Sequence, residues 1–244
     1  MEETASTNAD CLAAAQAGDQ GRLWIRAGRQ TAGKGSRGRD WVSVDGNLYA
    51  SLLLIDPGPR EKLAGLTFVT ALAVREALAE LSREAGTVRD ISLKWPNDVL
   101  VSGKKVSGIL LECHEIAGRT AVIAGIGINC VSHPPETMHR ATDLAAEGMA
   151  VTPDLLFGKV ARHFDRLLVE WDGGEGFAVI REKWLAEASG LGERIYVRMP
   201  GREVSGIFET IDPDGYMELE LDDGSVVRIS VGDIFFNQAN QPGN

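Results

Sequence analysis

The 244-residue sequence predicts an α+β protein, a mixed and mainly antiparallel sheet with flanking helices followed by a small antiparallel β-barrel. Three observations predict it. Up to residue 188, short apolar strands interleave with helical stretches, two of the strands joined as a hairpin. After "SGLGE" the pattern changes: from Arg194 to Phe236, short alternating strands are split by "PGR", "DPDG" and "DDG". Hydrophobic residues make up 44% of the chain and charged residues 25%, enough to bury a sizeable core without disulfides. A boundary near Gly190 to Gly192 gives units of 1–190 and 191–237, with 238–244 as a flexible tail.

Residues 7–17, "TNADCLAAAQA", read as a helix stopped by Gly18, and 23–27 as a short apolar strand. "NLYASLLLI", 47–55, is a buried strand ended by "DPGP". A long helix covers 61–83, with Leu66, Ala73, Ala77 and Leu81 near one face. "ISLKW" is a strand broken by Pro96. "DVLV", the turn "SGKK" and "VSGILLEC" make a hairpin, and "TAVIAGIGINC" a further apolar strand. Residues 152–171 form a helix with Thr152 as cap and Pro153 in its first turn. Leu156, Val160, Phe164, Leu167 and Trp171 mark its core face, and a second helix follows over 175–188.

The net charge of −10 argues against a general nucleic-acid surface, because polyanion binding needs a basic face. No stretch is long and apolar enough to span a membrane, and "MEETASTNAD" has no signal-peptide pattern. Three cysteines at irregular spacing form no disulfide framework and suit a reducing, cytoplasmic setting. Cys113-His114 with Cys130 and His133 is a poor metal set, since neighbours on a strand point to opposite faces.

"GRQTAGKGSRGRDW", 28–41, concentrates glycines and cations in this acidic chain. Glycines let backbone approach a ligand closely, and the cations select an anion. The loop is not a Walker A motif, because Gly35 stands where Ser or Thr is needed. Nor is it a dinucleotide loop: a strand, not a helix, follows "GKGSRG". The catalytic set that would accompany a kinase glycine loop is missing. Taken alone, the loop is equally well a solvated surface segment.

Two further stretches decide the matter. In "LKWPNDVLVSGKKVSGILLE", Asn97 and Asp98 sit on the turn after Pro96, and the hairpin returns Lys105 alongside Asp98. "GIGINC" ends a buried strand at Asn129. Together these resemble the biotin protein ligases over nearly the whole chain. The family pattern Q-T-x-G-[RK]-G-R-x-G-R-x-W maps onto Gln30 to Trp41, K-W-P-N-D onto Lys94 to Asp98, and the following lysine and G-I-L-x-E onto Lys105 and Gly108 to Glu112. G-x-G-[IV]-N maps onto Gly125 to Asn129, and an S-T-N triplet onto Ser6-Thr7-Asn8. The end containing "VGDIFF" looks like the family's SH3-like C-terminal domain, and the main unit is then class II synthetase-like. Ser36 departs from the pattern, standing where an arginine normally helps close the loop. The strand that usually precedes the S-T-N motif is expected to be missing, leaving the first helix less well anchored. A preceding winged helix-turn-helix is likewise expected to be missing, so the resemblance is to the monofunctional type.

That resemblance implies formation of biotinyl-5′-AMP from biotin and ATP, with Mg²⁺ on the phosphates. Transfer to a lysine of a biotin carboxyl carrier domain of a biotin-dependent carboxylase follows. Lys105, Asp98 and Arg37 are the implied catalytic residues. Ser6, Thr7, Asn8, Gln30, Gly33, Lys34, Trp41, Lys105 and Gly108 are implied for biotin. Lys34, Arg37, Arg39, Trp41, Asn97 and Asn129 are implied for ATP. Trp41 is expected to stack on adenine, with plain core packing as the rival. Thr7 with Asp10 also reads as a helix-capping box, compatible with ligand binding. Asp212, Asp214, Asp222 and Asp223 read as soluble acidic surface rather than a carrier-steering patch. A lipoate or octanoate transferase of the same fold and a non-catalytic biotin-binding module are the rival readings. A homodimer through a sheet edge is possible by analogy.

Overall fold

The computed structural model describes residues 1–135, 139–199 and 201–236. Six antiparallel strands form the main sheet: β2 (Leu23–Ala27), β4 (Leu48–Ile55), β5 (Ile91–Lys94), β6 (Asp98–Val101), β7 (Lys104–Ile116) and β8 (Arg119–Ile128). Their order is β2-β4-β8-β7-β6-β5. Along β4, alternate side chains serve opposite faces. Leu48, Ala50, Leu52 and Leu54 join the main core with the helices α2 (Gly65–Glu84), α3 (Pro153–Trp171) and α4 (Phe177–Ala186). Leu53, with Ala121 and Ile123 of β8, packs instead against Cys11 and Ala15 of α1 (Thr7–Gln16). The sheet is therefore covered on both faces, with α1 on the face opposite α2, α3 and α4.

The helices follow from their patterns. Thr152 caps α3, its hydroxyl accepting from the Leu155 amide at 3.4 Å. Leu156, Val160, Phe164, Leu167 and Trp171 are all buried, as the helical spacing predicts. The long helix begins later than expected: Arg60–Lys62 is a short 3₁₀ turn before α2. The connection from β6 to β7 is a two-residue turn, Ser102-Gly103, with φ of 51° and 71°, tighter than "SGKK".

Two expectations at the N-terminus are corrected. The segment before α1 does form a strand, β1 (Glu3–Thr4), paired in parallel with β3 (Arg29–Gln30). Amides of Gly28, Arg29, Thr31 and Ala32 donate to carbonyls of Met1, Glu2, Thr4 and Ala5, so the start of the chain is anchored along the glycine loop. Thr7 is not a cap and forms no capping box; Ser6 occupies the cap position without a side-chain bond. Asp10 instead accepts from the Thr4 hydroxyl at 2.7 Å, which takes the carboxylate away from the helix end.

The C-terminal strands β9 (Arg194–Met199), β10 (Arg202–Ile211), β11 (Met217–Glu220), β12 (Val226–Ile229) and β13 (Asp233–Phe235) form a second antiparallel sheet, ordered β12-β11-β10-β9-β13. Among the described residues, β12 and β13 are not paired with each other, so the barrel is not closed by hydrogen bonds. The 238–244 tail and Pro200 of the "PGR" turn lie outside the described residues. Asp212 corrects the acidic-surface reading. It is 5% exposed, accepts from the Asp214 and Tyr216 amides, and holds Arg228. The two sheets share one core, in which Ile195, Phe208 and Met217 join Phe68 and Trp184. The Trp95 indole adds a bond across the join, donating to the Gly215 carbonyl at 3.2 Å.

Candidate active site

The cleft has a volume of about 570 Å³ and lies on the α1 face of the sheet. Its floor is bare backbone. Gly108, Gly125 and Gly127 sit side by side on β7 and β8, where Gly108 pairs with Gly127. A methyl group added at Gly127 would lie 2.5 Å from the Trp41 indole, and one at Gly125 would collide with the Asn8 carboxamide. The glycines thus let two side chains lie flat on the sheet.

The inner end is polar. The Thr7 amide and hydroxyl both donate to Gln30 Oε1, at 2.8 and 3.1 Å. The single hydroxyl proton of Ser51 faces Thr7 Oγ1 at 2.7 Å and Asn8 Oδ1 at 2.6 Å. Asn8 Nδ2 donates to Glu112 Oε2 at 2.5 Å. Ser51 was missed by sequence reasoning, and Glu112 was mapped onto the family pattern without a site role. The signal for Ser51 was present, as a lone hydroxyl inside the apolar run "LYASLLLI".

The roof is the glycine-rich loop, folded on itself. The Lys34 and Asp40 backbones form an isolated antiparallel β-bridge, the Gly35 amide donates to the Arg39 carbonyl at 2.7 Å, and the Trp41 amide to the Gly33 carbonyl at 2.9 Å. Lys34, Ser36 and Arg39 border the cleft. Arg37 does not. It takes a left-handed backbone, φ 60°, which swings its guanidinium onto Asp233 at 2.5 Å and the Gly232 carbonyl at 2.6 Å. Arg39 shares Asp233 at 3.3 Å and folds back onto the Ser36 hydroxyl at 3.0 Å. Arg37 and Arg39 are thus tied to β13 through Asp233.

Lys105 enters at the centre, its ammonium 2.6 Å from Asp98 Oδ1. A β-bulge puts it there. Asp98 pairs with Gly108 and Val99 with Ser107, but Leu100 pairs with Lys105, leaving Val106 as an extra residue. Strict alternation from Gly108 would send Lys105 into the core; the bulge sends Val106 there instead, fully buried. The Lys105 ammonium lies 5.6 Å from the Trp41 ring centre, and Trp41 Nε1 is buried with no hydrogen-bond partner among the described residues. Asn97 and Asn129 brace the wall: their Nδ2 groups donate to the carbonyls of Ile109 at 2.6 Å and Thr142 at 3.1 Å.

The structure thus brings Ser6, Thr7, Asn8, Gln30, Lys34, Arg39, Trp41, Asn97, Lys105, Gly108 and Asn129 to the cleft. Gly33 stays behind the loop, where any Cβ would lie 2.9 Å from the Gln30 amide nitrogen, and Asp98 lies outside the cleft lining, paired with Lys105. Among the described residues, no group of three or more His, Cys, Asp or Glu side chains is placed to hold a metal ion, and no helix is long and apolar enough to cross a membrane.

A cleft with one polar pocket, one cationic roof and a lysine between them is that of enzymes that join a carboxylic acid to a protein through a nucleotide. The chain belongs to the biotin/lipoate A/B protein ligase family, whose model matches residues 5–129. A second model, the biotin protein ligase C-terminal domain, matches 190–237. The biotin–[acetyl-CoA-carboxylase] ligase of Paracoccus denitrificans is 39% identical over 97% of this chain and 99% of that protein. The enzyme of the same name from Mycobacterium tuberculosis is 32% identical over 96% of this chain and 86% of that one. The fold matches the biotin protein ligase from Aquifex aeolicus in complex with biotin and ATP, with a TM-score of 0.78, 29% identity and 96% of each chain covered.

Proposed function

We propose that this protein converts biotin and ATP to biotinyl-5′-AMP and transfers the biotinyl group to one lysine of a biotin carboxyl carrier domain. The observation that carries the reading is the Lys105–Asp98 pair, set midway between a hydrogen-bonding inner pocket and a cationic roof. A ureido head has two N–H donors and a carbonyl acceptor. Thr7, Asn8, Gln30, Ser51 and Glu112 supply both kinds of partner, which the dithiolane of lipoate does not need. That favours biotin over the lipoate reading.

In the first step a carboxylate oxygen bonds to the α-phosphorus, and the bond from that phosphorus to the bridging oxygen breaks. Two anions must meet, so catalysis is mostly positioning and charge stabilisation. Lys105 is a point charge on a mobile stem that follows the reacting oxygens. Asp98 holds it in place and, in the second step, steers the incoming amine electrostatically. The amine attacks the biotinyl carbonyl and AMP leaves. Trp41 offers a face for adenine, with Asn97 and Asn129 near its edge. Lys34, Arg39 and Arg37 serve the phosphates, Arg37 only after leaving Asp233. Mg²⁺ enters on ATP as part of the substrate.

We further propose a catalytic unit of 1–190, a small domain of 191–237, a cytoplasmic setting consistent with three unpaired cysteines, and no role for nucleic acid. A homodimer through a sheet edge remains part of the proposal. Incubation with biotin, Mg-ATP and an acceptor domain, read by intact mass, tests the function. One added biotinyl group on the acceptor is expected; an unchanged acceptor with biotin bound to the enzyme rejects it in favour of a binding module.

A further inference from the structure

The residue just before β4 is Asn47, a polar side chain only 2% exposed. Its carboxamide reaches the chain that leaves β8. Oδ1 accepts from three successive amides, Cys130 at 2.8 Å, Val131 at 3.0 Å and Ser132 at 3.4 Å. Nδ2 donates to the Ser132 carbonyl at 2.9 Å. Three amides converging on one oxygen form a concave nest of the kind that holds anions, here filled by the protein's own side chain.

The grip falls where the β4–β8 ladder ends. Leu48 pairs with Ile128, and one step further a continuing ladder would pair Asn47 with Asn129. Instead the Asn129 amide donates to the Val106 carbonyl at 2.9 Å, and its carbonyl accepts from the Leu144 amide at 3.0 Å. The chain has left β4, and Asn47 replaces the ladder with side-chain bonds. On its other side, the Asn47 amide donates to the Val44 carbonyl at 3.4 Å. The Tyr49 hydroxyl accepts from the Val44 amide at 2.7 Å and donates to the same carbonyl at 2.9 Å. Val44 lies three residues after Trp41. Asn47 therefore joins the segment that carries Trp41 to the segment that carries Asn129.

The chain that returns towards the cleft has its own hold. The Lys105 amide donates to the Arg140 carbonyl at 2.8 Å, and the Thr142 amide to the Lys105 carbonyl at 2.9 Å. Loss of the Asn47 carboxamide thus loosens residues 130–132 and leaves Lys105 where it is. The bonds of the inner pocket, among Thr7, Asn8, Gln30, Ser51 and Glu112, do not pass through Asn47.

We propose that Asn47 is a positioning residue for the nucleotide: it fixes residues 130–132 so that Asn129 and Pro134 stand as the cleft wall beside Trp41. The inference rests on the adenylation reading above. Asn47 itself lies outside the cleft lining and acts through the backbone it holds. A carboxamide offers an acceptor to the converging amides and a donor to the Ser132 carbonyl; aspartate offers only the first, and leucine neither.

The test compares Asn47→Leu and Asn47→Asp with the wild type in biotinyl-AMP formation, biotin titration and amide hydrogen exchange. In Asn47→Leu three amides lose their acceptor, so ATP KM should rise about tenfold; in Asn47→Asp it should rise about threefold. In both, kcat should stay within about threefold and biotin affinity within about twofold. Exchange at residues 130–132 should quicken about tenfold in Asn47→Leu, with β4 and β8 unchanged. If Asn47→Leu does not fold, Asn47→Asp decides by the same split of KM from kcat. A brace that serves only stability would lower kcat with the active fraction and leave ATP KM unmoved, and that result overturns the inference. So does an unchanged ATP KM beside faster exchange, or a biotin affinity that weakens in step with ATP. A wild type that makes no biotinyl-AMP rejects the functional reading, and the nucleotide role of Asn47 with it; failure of the variants alone to behave as stated, in an active wild type, rejects only the role of Asn47.

Discussion

Lys105 is the side chain on which the chemistry turns. Replacing it by methionine removes the charge and keeps the length. Adenylate formation should fall by about 10²–10³-fold with biotin affinity little changed, as expected for a group acting in the transition state; stopped biotinyl-AMP assays with a parallel biotin titration measure the split. Ser36 is a second single-residue matter. Its hydroxyl only steadies Arg39, so an arginine there adds a cation to the roof. Ser36→Arg should release biotinyl-AMP more slowly, and identical release rates for the two proteins would reject a retention role. Lys94 yields a pH signature. Its folded pKa of about 8 lies below the ordinary 10.5, so between these values the unfolded chain binds the extra proton. Stability therefore rises with pH through that window, and the burden of the buried charge is full only below it. Relative to Lys94→Met, the wild type should be weakest near pH 7 and draw level towards pH 10, followed by urea midpoints at each pH. Of these residues, Lys105 and Asp98 were legible in the sequence because hairpin spacing brings them together. Asp233 was not: it meets Arg37 from 196 residues away, and no local pattern carries that information.

At the scale of elements, periodicity located nearly every helix and strand, because burial of one face leaves a repeating trace. Register was harder. The bulge at Val106 decides which way Lys105 points, yet "KKVSGIL" reads equally well with or without it. The Thr7–Asp10 pattern misled for a related reason: a carboxylate three residues into a helix serves a cap or a neighbouring strand, and here β1 won. The helices on the far face are scaffold rather than site. Phe164 of α3 is fully buried and touches Trp24 edge-on, with ring centres 5.7 Å apart. Phe164→Ala should lower stability by about 3–5 kcal/mol while biotin affinity in the folded protein stays unchanged. Chemical denaturation and titration on the same sample separate the two effects.

Across the whole molecule, the glycine loop and β13 hold each other through Arg37, Arg39 and Asp233. Asp233→Asn should free the loop in the ligand-free protein. Trypsin should then cut after Arg37 or Arg39 about tenfold faster than in the wild type, and biotin with ATP should restore protection; unchanged cleavage would mean that the contact does not restrain the loop. The shared core joins two sheets of different character. It also bears on ancestry. An exchange of genetic material that imported the last fifty or so residues from a distant cousin would bring a foreign partner to these arginines. Hybrids would survive only where the acidic residue and the basic pair were inherited together, so lineages should trade them as a set.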